Sequence, residues 1–358
     1  MNKISAKIIA DSADNRGNRI TTFVLTYPRF ILPELNTHRM FSRNSASSRA
    51  IPFEKMVKMV EEDPFIPIAW QKDHKGMQGT EYFNEEESKS KIKEWLIARD
   101  NAVTQAKKLH SEGVTKQLCN RLLEPFLWHT VLLTATEFEN FFKLRCPQYV
   151  INWYPKDRPE ALEPTQATFK SKEQAILYTG ECSNWTENDW RMSNIAQAEI
   201  HMQALAEAMW DAYNESTPKE LKAGEWHIPF GDQMDEDKIE TLLHGPYRAS
   251  YVRKEGDVQQ AKIEIATARC ARLSYMTFDG EIDYEKDLKL HDKLIENGHL
   301  SPLEHICQCL TEEEYQASIK TVGFYNGRSV IEEGWCSNLK GFKSYRYMVE
   351  NGIYESYK

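Results

Sequence analysis

The run from Ile20 to Phe30, ITTFVLTYPRF, sets the first limit on the fold. Its β-branched and aromatic residues suit a pleated, half-buried strand, and Pro28, which cannot donate to a ladder, puts that strand at a sheet edge or at its own end. Helical patterns surround it. A short helix is expected over Leu32 to Met40, and a long one from Glu87 to Glu112, with Ile92, Trp95, Leu96, Ala102 and Ala106 at helical spacing and Gly113 as a stop. Thr115 to Glu124 should end at Pro125, and Glu137 to Arg145 should end before Pro147. Ile195 to Tyr213 is Ala-rich and helical by propensity, and Tyr284 to Glu296 is a helix closed by Asn297-Gly298. The stretch IEIATARCARLSYMTF from Ile263 fits a helix or a strand equally. Gln148 to Asn194, with Pro155, Pro159 and Pro164, has weak periodicity and reads as a loop-rich insertion. Pattern alone therefore supports a mixed α and β chain without internal repeats.

At 358 residues the chain can bury one large core or two modest ones. A hydrophobic content of 41%, a charged content of 28% and a mean hydropathy of -0.62 suit a soluble globular protein. No apolar run approaches the roughly 18 to 20 residues that span a bilayer, so no membrane partner is expected. The opening MNKISAKIIADSADNRGNRI lacks the apolar segment of a signal peptide, which leads to a cytoplasmic expectation. Seven Cys without a CxxC pair predict reduced, structural thiols. A net charge of -9 argues against a nucleic-acid polymer as partner, but not against one small anion.

The acids are missing in one place. Between Glu34 and Glu54 there is no Asp or Glu, and the gap holds His38, Arg39, Arg43 and Arg49 among Ser42, Asn44, Ser45, Ser47 and Ser48. Guanidinium forks, hydroxyls and an amide without a competing carboxylate are what a phosphorylated ligand requires; a solvated basic loop is the plain alternative. No GxGxxG and no GxxxxGK[ST] is present, so neither common glycine-rich phosphate loop is supported. A second cluster, Gly298-His299-x-Ser301-Pro302-x-Glu304-His305, can be a metal site, an acid/base site or a turn that caps a helix. It lacks a clear third and fourth ligand, so no metal is expected. No nucleophile elbow and no cysteine in a nucleophile context occurs, so covalent protein catalysis is not indicated.

Taken together these segments resemble the flavin-dependent thymidylate synthases (thymidylate synthase complementing proteins). The window is similar to their signature RHRxxSxNxxSxR, matched by His38, Arg39, Ser42, Asn44, Ser47 and Arg49, with Thr37 in place of the first Arg and Glu34 where Gln is common. Arg121 with Leu123-Glu-Pro125 resembles the R-x-x-L-P element, Asn140-Phe-Phe-Lys-Leu-Arg145 the N-F-L-x-L-R helix, and Ala196-Gln197-x-Glu199-Ile200 the A-Q-x-E-I helix. Ala271-Arg272-x-Ser274-Tyr275 and the 298–305 cluster resemble segments that precede the signature in ordinary members, yet here they follow it. The order looks circularly permuted, which leaves core contacts intact where the joined ends lie close in space.

The resemblance implies an α+β fold, a twisted and largely antiparallel sheet packed with helices, as a single domain over 1–358 with the signature at 37–49, the insertion at about 148–194 and a second flavin/folate segment at about 268–305. It implies C5 methylation of dUMP to dTMP, with methylenetetrahydrofolate as carbon donor and NADPH-reduced FAD as hydride source, in a homotetramer. By position, Ser47 and Arg49, with Glu34, Ser48 and Arg121, would bind the nucleotide, while Arg145 would face the pyrimidine ring; Ser47 and Arg145 carry the catalytic assignment. His38, Arg39, Ser42, Asn44, Asn140, His299, Ser301 and Glu304 would contact FAD or folate. Ile195 replaces a residue that is often polar, and the insertion directly follows Arg145. These departures keep two other expectations in view. One is a related methyl or hydroxymethyl transfer to dCMP or dUMP for modified DNA, as in a virus-infected bacterial host; the other is a non-catalytic nucleotide-binding protein.

Overall fold

The computed structural model describes residues 3–75, 79, 81–154, 164–244, 258–274, 283–325 and 328–354. In chain order, the hairpin β1 (Ser5–Asp14) and β2 (Arg19–Pro28) leads to α1 (Leu32–Leu35) and β3 (Ser42–Ser45). Helices α2 (Phe53–Glu62), α3 (Glu85–Ser111) and α4 (Lys116–Cys119) precede β4 (Trp128–Ala135) and α5 (Glu139–Arg145). A hairpin of β5 (Tyr149–Trp153) and β6 (Thr165–Phe169) is followed by α6 (Lys172–Thr179), α7 (Glu187–Ser193) and α8 (Ile200–Glu215). Then come β7 (Lys219–Leu221), β8 (Trp226–His227), α9 (Glu236–His244), α10 (Val258–Ser274), α11 (Tyr284–Glu296) and β9 (Cys307–Cys309).

The central sheet has the order β3-β4-β2-β1-β7; its pairs are antiparallel except β1 with β7, so the architecture is α+β with a largely antiparallel sheet. Period-2 alternation decides which face each residue joins. Phe23, Leu25 and Tyr27 of β2 and Val131, Leu133 and Ala135 of β4 point to one face, where α5 and α8 close a core of Phe138, Phe141, Phe142, Met202, Leu205, Ala206 and Met209. The other face carries Val24 and Leu132 and is covered by α9, α10, α11 and Leu303, Ile306 and Tyr345. A bulge at Ile9 breaks the β1–β2 register, pairing Ile8 with Phe23 but Ala10 with Thr22. One extra residue reverses the alternation, so Ala10 and Ser12, unlike Ile8, share the face of Thr22, while Asp11 lies with Thr21 on the other.

Pro28 ends an interior strand rather than marking an edge. The ambiguous stretch from Ile263 is helical: α10 is buried almost all round, so its apolar residues lack a one-sided helical period. The helix expected over Leu32–Met40 stops at Leu35, because the Thr37 hydroxyl donates to the Glu34 carbonyl and Arg43 donates to the carbonyls of Leu35 and His38. Pro125 does not end an α-helix. α4 closes at Cys119 and the chain tightens into a 3-10 turn, Asn120–Phe126, that contains the proline. α8 begins at Ile200, not Ile195: Asn194 accepts from Ala196 N–H, and Glu199 caps the helix by accepting from His201 and Met202 N–H.

The 148–194 insertion is not loop-rich where it is described. It packs β5, β6, α6 and α7 around Tyr149, Ile151, Trp153, Phe169, Ala175 and Trp190. Pro155 and Pro159 lie outside the described residues, as does Tyr275. All seven cysteines are free thiols, and no helix among the described residues is long and apolar enough to cross a membrane.

Candidate functional site

The acid-free window becomes β3, the edge strand next to β4, and the two turns that flank it. Three distant segments converge on it. The 3-10 turn Ser301–His305 and α10 both pack against β3, although they follow it by more than two hundred residues. The Asn44 amide donates to the Cys270 carbonyl at 3.2 Å, and the Asn338 amide donates to Ser42 Oγ at 3.0 Å. Glu304 pairs with Arg346 at 2.5 Å, and its charge also supports the cationic form of Arg43, which burial pulls below its ordinary range. Gly298, at a φ of +67°, ends α11 and turns the chain toward exposed His299 and Ser301.

On the other side of the window Arg145, at the end of α5, donates from Nε to His38 Nε2 at 3.1 Å and from a terminal nitrogen to Thr37 Oγ1 at 3.4 Å. Burial, reinforced by Arg145 and Arg43, lowers His38 to about 4, so at neutral pH it is an uncharged acceptor. Its ring sits edge-on to Phe141. Thr37, which takes the place of the signature's first Arg, thus closes a turn and receives Arg145. Glu34 lies nearby with one buried carboxylate oxygen, Oε2, that has no hydrogen-bond partner. Burial, helped by Glu199, pushes Glu34 up, against the pull of Arg145 and His201.

The Ser47–Arg49 turn is held from beneath. Ser48 Oγ donates to Glu124 at 2.5 Å, while the Asn120 amide donates to the carbonyls of Ser48 and Ile51 at 2.7 and 3.0 Å. Glu124 pairs in turn with Arg29 at 3.3 Å. Arg121 belongs to the same 3-10 turn as Asn120 and Glu124, the two residues that bond the Ser48 segment next to Arg49.

Two groups of expected site residues therefore separate. Ser42, Asn44 and Ser48 are already bonded within the chain and shape the wall, whereas Arg39, Arg49, Arg121, Asn140, His299 and Ser301 are exposed and make no side-chain hydrogen bond or ion pair among the described residues. Ser47 is exposed and its hydroxyl accepts only the Arg49 N–H, at 3.4 Å. Guanidinium groups left exposed without a carboxylate partner, as at Arg49 and Arg121, can neutralise a phosphate. Sequence reasoning missed Arg29, Asn120, Asn338 and Arg346. Each acts through a partner far along the chain, so none carried a local signal. A separate group, buried Glu264 and His291 with half-buried Asp292 on α10 and α11, also lay outside every spacing considered.

No protein-family model matches the sequence, and no curated protein matches it. Among solved structures the chain is similar to a UMP/dUMP methylase, PolB from Streptomyces cacaoi, bound with 5-Br UMP: 15% identity and a TM-score of 0.39 over 60% of this chain and 90% of that one. The same protein bound with 5-Br dUMP gives 12% identity and a TM-score of 0.39, over 60% and 91%.

Proposed function

We propose that the chain is a flavin-dependent thymidylate synthase with a permuted order of elements, methylating C5 of dUMP. The observation that carries this is the convergence on the signature window: the helix end at Arg145 meets His38, and the turn 301–305 packs on β3, although both are named by motif and follow the window by about one hundred and about two hundred and fifty residues. Arg49, Arg121 and Ser47 would hold the nucleotide phosphate, and Arg145, oriented by neutral His38, would favour negative charge developing on the ring. The exposed, bond-free cations and polar groups of this wall fit a large anionic cofactor. Arg39, His38 and Asn140 on one side and His299, Ser301 and Glu304 on the other would hold FAD and folate. When bound, FAD reduced by NADPH supplies hydride and methylenetetrahydrofolate supplies the carbon unit. The proposed assembly is a homotetramer, which light scattering after gel filtration would read.

Anaerobic incubation of photoreduced enzyme with methylenetetrahydrofolate and either dUMP or dCMP tests the assignment. Formation of dTMP supports it. Product from dCMP alone reassigns the base, and a colourless protein that takes up no FAD overturns the flavin assignment.

A further inference from the structure

An unbroken chain of buried hydrogen bonds crosses the second face of the sheet. Ser12 Oγ lies 2.9 Å from His227 Nδ1, and His227 Nε2 lies 2.8 Å from Thr22 Oγ1. Thr22 Oγ1 is 2.7 Å from Thr134 Oγ1, which is 2.8 Å from His305 Nδ1. None of the five residues is more than 5% exposed. Their alignment follows from the sheet. Thr22 and Thr134 are direct cross-strand partners, and Ser42 of β3 is the next residue in the same row. Ser12 joins this face only because the bulge at Ile9 reverses the alternation of β1; without it Ser12 would face the aromatic core with Ala6 and Ile8.

The two ends differ. At the outer end Ser12 helps to wall a pocket of about 480 Å³ that also presents Asp11, Lys219, Glu225, Asp232 and Lys262. At the inner end His305 Nε2 is buried without a hydrogen-bond partner. That end lies behind the candidate site: His305 follows Glu304, and Thr134 pairs with Ser42. A network that only satisfied buried hydroxyls would not end on an orphaned nitrogen. Each hydroxyl both donates and accepts and each neutral imidazole carries one N–H, so the chain has two polarities, which differ in whether His305 Nε2 bears hydrogen. Burial keeps both rings uncharged, lowering His227 to about 4 and His305 to about 3.

We infer that Ser12, His227, Thr22, Thr134 and His305 form a proton relay between the outer pocket and the back of the candidate site. Its use rests on the proposed C5 chemistry: replacing hydrogen at C5 by a carbon unit leaves the bonding pair on the ring and frees one proton per turnover. A proton accepted at His305 Nε2 releases the Nδ1 hydrogen to Thr134. Thr134 passes its hydrogen to Thr22, Thr22 to His227 Nε2, His227 Nδ1 to Ser12, and Ser12 to water in the pocket. One proton enters and one leaves, and no other bond changes. Hydroxyl rotation and imidazole reorientation restore the starting polarity.

The relay can be read without substrate, by nitrogen NMR of protein labelled in histidine. Ser12→Ala, at the outer end, should change the tautomer balance of His305 as well as His227; a change confined to His227 overturns the continuous chain. The catalytic arm measures release of tritium from C5-labelled dUMP. Thr134→Val should slow release at least about tenfold, with nucleotide affinity kept and Thr134→Ser restoring the rate. Unaltered release in a folded Thr134→Val protein overturns the use of the relay. No release from the wild type, with the coupling between His227 and His305 intact, supports the relay and overturns the proposed reaction instead.

Discussion

The two faces of the central sheet use the same strands for opposite purposes. One face is dry: Phe23, Leu25, Val131 and Leu133 pack on α5 and α8, and Phe141 there supports the ring of His38. The other sets Ser12, Thr22 and Thr134 among the apolar residues and covers them with His227 and His305. Side chains one residue apart on β2 thus serve stability and polar chemistry separately. The second face is also a packed apolar core, and it tolerates these polar groups because each hydroxyl finds a buried partner.

The largest test of that division is on the dry face. Phe141→Ala should cost about 3 to 5 kcal/mol in urea unfolding, because the site cannot collapse around the lost ring. A loss below about 1 kcal/mol would mean that this face does not hold the fold. Acid tests the buried imidazoles next. His227 and His305 are held down to about 4 and 3 by burial, from an ordinary 6.5. Below pH 6.5 the unfolded chain binds protons that the folded chain does not, so stability is full above that value and is lost as pH falls toward 4. Each ring contributes about 1.4 kcal/mol per pH unit in this window. His129, lowered to about 3 by burial and then by Arg29, adds to the slope. A flat profile between pH 6.5 and 4.5 would show that these imidazoles are not buried neutral. The smallest effect on stability belongs to the exposed wall. Arg49→Ala should leave unfolding within about 0.5 kcal/mol of wild type, yet weaken nucleotide binding by about 1.5 to 3 kcal/mol in calorimetry.

The sequence made the regular parts legible where one period dominates. The Ile20 strand, α3, α5 and α11 emerge within a few residues of their expected bounds, α11 with the bounds expected. It was less legible where side chains take over backbone partners, as at Thr37, Asn194 and Glu199. The insertion escaped because a few aromatics make its core and its helices are short. Thr186 with Asp189, and Ser171 before Gln174, are cap signals that could have located α7 and α6. Within the site the motif residues were visible, but their division into wall-builders such as Ser48 and open groups such as Arg49 was not. That division depends on Glu124, Asn120 and Asn338, which reach the window only after folding.

The ties from Asn338 to Ser42 and from Arg346 to Glu304 also bear on synthesis. A ribosome that has made the signature window must add about three hundred more residues before Asn338 emerges to meet Ser42, and before Arg346 emerges to hold Glu304 of the converging turn; contacts as distant in sequence as the first form late. Until then the basic wall is displayed on a nascent chain without its clamp, so the proposed site is among the last parts of the molecule to exist.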